Sequence, residues 1–192
     1  KDGNAVLVYA LKALQHVGVL DDIAVTVAYT GDEEMTGKPL SISRKDLIKA
    51  GKWADITLGF EGAITTEGSD WATIARRSSS GWMLEVSGRQ AHSSGVFSER
   101  VGAGAINEAA RILDTFYNEV RGDYGLTFNA GTIQGGTTVN YDSAQNRGTT
   151  FGKTNVVPSK VIVDGGIRAL SLEQLVSAKE KMEAIVANHL PH

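Results

Sequence analysis

The 192-residue chain contains no cysteine. Disulfide bonds and thiolate metal centres are therefore excluded, while the compartment is left undecided. An excess of positive charge is also missing, since 19 lysines and arginines stand against 22 acidic residues for a formal net charge of −3. Nothing in that balance supplies the basic face on which nucleic-acid binding rests, so no nucleic-acid partner is expected. No apolar run approaches the ~18 residues of a membrane-spanning helix, so no membrane span is expected. Internal repeats and low-complexity tracts are absent as well. The opening residues "KDGNAVLVYALKALQHVG" carry no initiator methionine, basic leader or targeting segment, and enter a helix directly. The closing "ANHLPH" follows another helix. The expectation is a part of a larger protein, with bacterial cytoplasm and periplasm both open.

What is present is the composition of a folded globular chain, 42% hydrophobic and 21% charged. Its length fits one ordinary domain or two small ones. Two textures favour two, with a boundary near residues 66–72. In the first, Ala5, Val6, Leu7, Val8, Ala10, Leu11, Ala13 and Leu14 nearly surround a predicted helix from Asn4 to about Val17, the pattern of deep burial. "DDIAVTVAYT" then reads as a central parallel strand covered on both faces. "SISRKDLIKAGKWA" predicts a short helix capped by Ser43 and ended by Gly51, and "DITLGF" predicts a second strand running to Glu61. Helix alternating with strand implies α/β architecture with a mostly parallel sheet.

The second texture alternates. "GWMLEVSG" puts Trp82, Leu84 and Val86 on one face and Met83 and Glu85 on the other, as in a half-exposed antiparallel strand. A helix from about Arg100 to Tyr117 carries one apolar stripe of Ile106, Ala109, Ile112 or Leu113, and Phe116. "LTFNAGTIQGG" and "NVVPSKVIVDGGIRAL" predict two more strands. Between them residues 137–152 form a hairpin excursion, turning at "QNRG". A capping box of Ser171 and Gln174 opens a final helix that buries Leu172, Leu175, Met182 and Ile185. The order β-α-β-β-α is a ferredoxin-like α+β layer without its last strand.

The residues able to do chemistry begin with Glu33 and Glu34 in "TGDEEMTG". Neighbouring side chains in extended backbone point to opposite sides, so one carboxylate can bind a cation while the other takes a proton from water. The plainer alternative is a solvated acidic turn. Glu61 favours the first reading, because it closes an apolar run where a buried sheet would not tolerate an unpaired charge. Ligand sites in such sheets gather beyond the carboxyl ends of strands, where all three glutamates fall. With no histidine between them the ligand set is incomplete for zinc. His92 lies in the polar loop "SGRQAHSSG" and reads equally as a solvated loop histidine. His16 reads as a helix-end residue, and His189 and His192 as incidental tail residues. Arg168 closes a strand beside two glycines, where a guanidinium can grip a carboxylate bidentately or simply charge a sheet edge.

These pieces, taken in order, resemble the dinuclear-zinc exopeptidase and deacylase family, which includes glutamate carboxypeptidase, aminoacylase, acetylornithine deacetylase and succinyl-diaminopimelate desuccinylase. "KDGNAVLVYALKAL" is similar to its D-x-K-G-G-N segment and helix, "TGDEEMTG" to its D-E-E-x-x-G motif, and "LGFEGA" to its next ligand-bearing strand. "VSGRQAHSSG" is similar to the start of its lid domain, "NVVPSK" to its N-[VI]-[IV]-P segment and "GGIRAL" to its D-x-R strand. The resemblance implies a partial catalytic domain over 1–69 and a lid and dimerisation domain over 70–192. Glu33 would be the general base, Glu34 a ligand of one zinc and Glu61 of the second. His92 would stabilise the oxyanion in a partner subunit's site, and Asn155 and Arg168 would hold the substrate. The implied reaction is metal-assisted hydrolysis of an amide in a peptide or N-acyl amino acid bearing a free carboxylate, by a homodimer. Ions other than zinc also suit such ligands. The alternative is a non-catalytic dimerisation or small-molecule-binding module. Two features depart from the family pattern. Gly166 stands where D-x-R has its aspartate, and several expected ligands lie outside the chain, so the chain alone is expected to be inactive.

Overall fold

Residues 2–62 and 64–190 are described by the structure, a computed structural model. The chain divides into two units, Lys1–Ala72 and Thr73–His192.

In the first unit, helix α1 (Asp2–His16) forms where the apolar-rich run predicts it. Its expected deep burial is not found, because only Leu7 and Leu11 are even half-buried among its described side chains. Two short helices follow, α2 (Leu40–Ser43) and α3 (Lys45–Trp53). Ser43 does not cap α3. Arg44 occupies the position before it, and Gly51 lies inside the helix rather than ending it. The expected parallel sheet is a correction. Among the described residues neither "DDIAVTVAYT" nor "DITLGF" pairs with another strand. The strands here are β1 (Ile64–Thr66) and β2 (Ser69–Trp71), an antiparallel hairpin. A central parallel strand needs hydrogen-bonding neighbours and helices over both faces, and two separate runs supply neither. Val25 and Ile56 consequently stay 50% and 79% exposed.

The second unit contains β3 (Ser80–Ser87), β4 (Ala91–His92), α4 (Ala105–Thr115), β5 (Thr127–Gly136), β6 (Thr138–Asp142), β7 (Arg147–Phe151), β8 (Val156–Val157), β9 (Lys160–Arg168) and α5 (Leu172–Ala187). A wide π-helical turn, Phe116–Val120, extends α4. The sheet runs β3-β9-β5 with both pairings antiparallel, so β9 is central. Period-2 alternation holds on β3, where Leu84 and Val86 are buried and Met83 and Glu85 exposed. Their face meets Val161, Val163 and Ile167 of β9, and both helices pack over it through Ala109, Ile112, Phe116, Ala178 and Met182. Ile106, expected in the buried stripe, is exposed, and Ala105 takes its place. Leu172, expected in the core, is exposed on the first turn of α5.

Gly165 shows how tightly the layer closes. A Cβ there would stand 2.3 Å from the Asn129 carbonyl oxygen and 2.4 Å from the Trp82 indole, so the ring lies on bare backbone. That indole meets Phe116 edge-on, with ring centroids 5.9 Å apart. The capping box behaves as expected at its first half: the Gln174 N–H donates to the Ser171 hydroxyl at 3.1 Å. The Gln174 side chain instead accepts from the Leu170 N–H. β6 and β7 form the expected excursion, turning over residues 143–146 rather than at "QNRG". The Tyr141 hydroxyl donates to Asp164 at 2.9 Å and fastens the hairpin to β9.

Candidate functional site

The acidic turn is built from its own neighbours. The Thr36 hydroxyl donates to the Glu33 carbonyl at 3.1 Å, and the Gly37 N–H donates to Asp32 Oδ2 at 3.1 Å. Arg44 lies across the turn, pairing with Asp32 Oδ1 and donating to the Asp32 carbonyl (3.1 Å) and the Thr36 hydroxyl (2.8 Å). The neighbouring Ser43 hydroxyl donates to the Gly37 carbonyl at 2.6 Å. Hydrogen bonding from Arg44, and then from Gly37, holds the Asp32 carboxyl below its ordinary range. Glu33 and Glu34 are both exposed on this turn, and Glu61 is exposed in a segment without regular secondary structure.

Two carboxylates, Glu34 and Glu61, are donors that a divalent cation accepts. They do not amount to a zinc centre, which takes three or four protein ligands. Among the described residues no group of three or more histidine, aspartate or glutamate side chains is placed so that it could hold a metal ion. The residues present therefore do not fit a complete zinc site, and no chemical step is routed through one.

In the second unit, β4 pairs with β8 so that His92 stands opposite Val156. The next backbone bond, from the Ser93 N–H to the Asn155 carbonyl at 2.9 Å, sets Asn155, in the turn before β8, opposite the residue after His92. Gly104 sets β8 in place. Its φ of 79° and its approach to Val157 leave no room for a Cβ, and the following Ala105 N–H donates to the Pro158 carbonyl. The Ser94 N–H donates to His92 Nδ1 at 3.2 Å, with the Ser94 hydroxyl 2.8 Å from the same atom. A backbone N–H can only donate, so in the neutral ring Nδ1 accepts and the proton resides on Nε2. His92 and Asn155 are both exposed.

Arg168 lies elsewhere, at the far end of β9 opposite Thr127. At about 3.3 Å per residue it is roughly 26 Å along the strand from Lys160, the end nearer Asn155. Arg77 joins it there, donating to the Thr127 hydroxyl at 2.8 Å and to the Gly125 carbonyl. Arg44 and Arg77 stand in none of the quoted family motifs. Their partners are set by the folded backbone, across as many as fifty residues for Arg77 and Thr127.

The described part of the tail is anchored rather than loose. Glu108 accepts two hydrogen bonds from Arg111, at 2.9 and 2.7 Å, and one from the Leu190 N–H. Its carboxyl is held below the ordinary range chiefly by Arg111. A cleft of about 340 Å³ between β3, α4 and the end of α5 is lined by Glu85, Ser87, Glu108 and His189. His192 lies outside the described residues.

Comparison with known proteins joins these observations. The family described as the peptidase dimerisation domain matches residues 74–192. Carboxypeptidase G2 of Pseudomonas sp. (strain RS-16) is 24% identical over 184 residues, which cover 95% of this chain and 39% of that protein. Similar solved structures include an aminobenzoyl-glutamate utilization protein from Klebsiella pneumoniae, 22% identical over 58% of this chain and 24% of its own, with a TM-score of 0.44. Another is the aminopeptidase PepT from Bacillus cereus ATCC 10987, 22% identical over 58% of this chain and 25% of its own, with a TM-score of 0.42. The chain thus spans 39% of the length of the curated relative it matches. With more than half of its residues matched, this chain belongs to the peptidase dimerisation domain family.

Proposed function

We propose that this chain is part of a hydrolase that cleaves an amide bond in a peptide or N-acyl amino acid with a free carboxylate. The observation that carries the reading is the exposed His92, its proton left on Nε2 by the Ser94 N–H, next to the backbone bond between Ser93 and Asn155. An exposed imidazole N–H on His92 suits the negative oxygen that develops when water attacks an amide carbonyl, and Asn155 is assigned to hold the substrate. Glu33 acts as the base that takes the proton of that water. Glu34 and Glu61 are assigned to divalent ions, zinc in this reading, whose other ligands come from parts of the parent protein outside this chain. Arg168 holds the substrate carboxylate with a planar pair of hydrogen bonds.

In the same reading residues 1–69 belong to the catalytic domain, and residues 70–192 form a ferredoxin-like lid that lacks its last strand. The strand order β3-β9-β5 and the two helices on one face support that assignment. The lid joins two copies into a homodimer, and His92 serves the partner's site. Family membership supports this pairing. Neither nucleic acid nor membrane has a part in it.

In the full-length protein, Glu33→Gln is expected to abolish turnover of N-acyl amino acids while zinc content persists. Zinc lost together with activity would exchange the roles of Glu33 and Glu34, and turnover retained would end the reading. The purified 192-residue chain is expected to show no chelator-sensitive hydrolysis, and measurable hydrolysis would overturn the proposal that its ligand set is incomplete. A second reading, a non-catalytic dimerisation or small-molecule-binding module, is favoured by the missing three-ligand cluster among the described residues. Turnover by the full-length protein separates the two.

A further inference from the structure

We infer that Arg44 is a positioning residue for the Glu33–Glu34 pair, holding the turn so that two of three consecutive carboxylates face outward and the third is withdrawn. The sequence Asp32-Glu33-Glu34 places three like charges in a row. Nothing in their chemistry distinguishes which of them meets a cation, a water or a substrate. The turn makes the distinction. Both oxygens of Asp32 are engaged, Oδ1 by Arg44 and Oδ2 by the Gly37 N–H, so Asp32 has no oxygen free of a partner to offer a ligand.

The same guanidinium also secures the backbone on both sides of the glutamates. One of its terminal nitrogens donates to the carbonyl of Asp32 and to the hydroxyl of Thr36, and that hydroxyl donates to the carbonyl of Glu33. Residues 32, 33 and 36 are thereby tied to one planar group. The Arg44 side chain is 15% exposed, whereas the two glutamates it frames are exposed to solvent. An ammonium group could replace the charge but not the fork, since it cannot hold a carboxylate, a carbonyl and a hydroxyl in one rigid plane. Ser43, adjacent in sequence, ties the end of the turn through Gly37.

This inference rests on the reading that Glu33 acts in hydrolysis, so its test keeps the two apart. In the full-length protein, Arg44→Ala and Asp32→Asn are compared with Glu33→Gln. A base displaced by about 1 Å loses on the order of 10²-fold in rate. Arg44→Ala is expected to lower kcat by about that factor with KM nearly unchanged, and Arg44→Lys to recover only part of it. The Arg44→Ala/Asp32→Asn double variant should be no worse than either single one, because both remove one arrangement. In the 192-residue chain the Gly37 amide should lose its protection from hydrogen exchange in Arg44→Ala. Should Arg44→Ala fail to fold, Asp32→Asn carries the same test. Undiminished kcat in Arg44→Ala and Asp32→Asn beside an inactive Glu33→Gln would overturn the inference, as would unchanged Gly37 protection. An active Glu33→Gln would instead remove the functional reading, and the Gly37 amide would still report on the turn.

Discussion

The two units have similar apolar runs and opposite outcomes. Every buried hydrophobic side chain among the described residues, from Leu84 to Ile185, belongs to the second unit. In the first, Val25, Val27, Ile56, Leu58 and Phe60 remain exposed although they sit in the apolar-rich segments expected as central strands. Hydrophobicity supplies a driving force only when there is a surface to receive it. The second unit has one, because its antiparallel strands pair through nearby segments and two helices close over one face. The strands expected in the first unit need flanking strands and covering helices that two isolated runs do not provide. Polar contacts order the first unit locally instead, with Arg44 fixing the acidic turn while the apolar side chains stay open.

That contrast can be broken by mutation. The largest effect is expected from Phe116→Ala, which should destabilise the second unit by about 3–5 kcal/mol in denaturant unfolding. Val25→Ala in the first unit should change stability by no more than about 0.5 kcal/mol, as at an ordinary surface position. Equal losses at both sites would mean that the first unit has a core. A smaller loss, about 1–3 kcal/mol, is expected from Gly165→Ala, because the new methyl must displace Trp82 or the Asn129 backbone. A matching shift in tryptophan fluorescence would locate the strain.

The smallest effect is one of pH. Glu108 has a folded pKa below its ordinary value of 4.5, so its contribution is present above that value and lost as pH falls through the depressed one. Acid unfolding of the second unit should therefore be less steep in Glu108→Gln below about pH 4.5. An unchanged slope would show that the bond between Arg111 and Glu108 contributes nothing to the second unit's acid sensitivity.

Much of the second unit was legible in the residues. Alternation in "GWMLEVSG" named the buried face of β3 because a strand's side chains simply alternate. Ser171 announced α5 because a hydroxyl before a helix satisfies a free N–H. The stripe on α4 was legible to within one position, Ala105 being buried in place of Ile106. The first unit was less legible for a physical reason. A uniformly apolar run says that a strand would be stable between neighbours, and says nothing about whether the neighbours are there. Ser43 misled as a helix cap because a hydroxyl suits any nearby carbonyl, and here the Gly37 carbonyl took it.

By itself the sequence determined the kinds of residue available for chemistry: adjacent carboxylates at 33 and 34, Glu61, a loop histidine at 92, and no thiol. It also determined the local elements whose signals are short-range, the helices and the alternating strands. The tertiary structure alone decided which groups meet. It set His92 opposite Val156 with Asn155 bonded to the residue after it, separated both from Arg168 by the length of β9, and placed Arg44 behind the acidic turn. Such meetings depend on backbone paths that close over tens of residues, and no local periodicity encodes where those paths return.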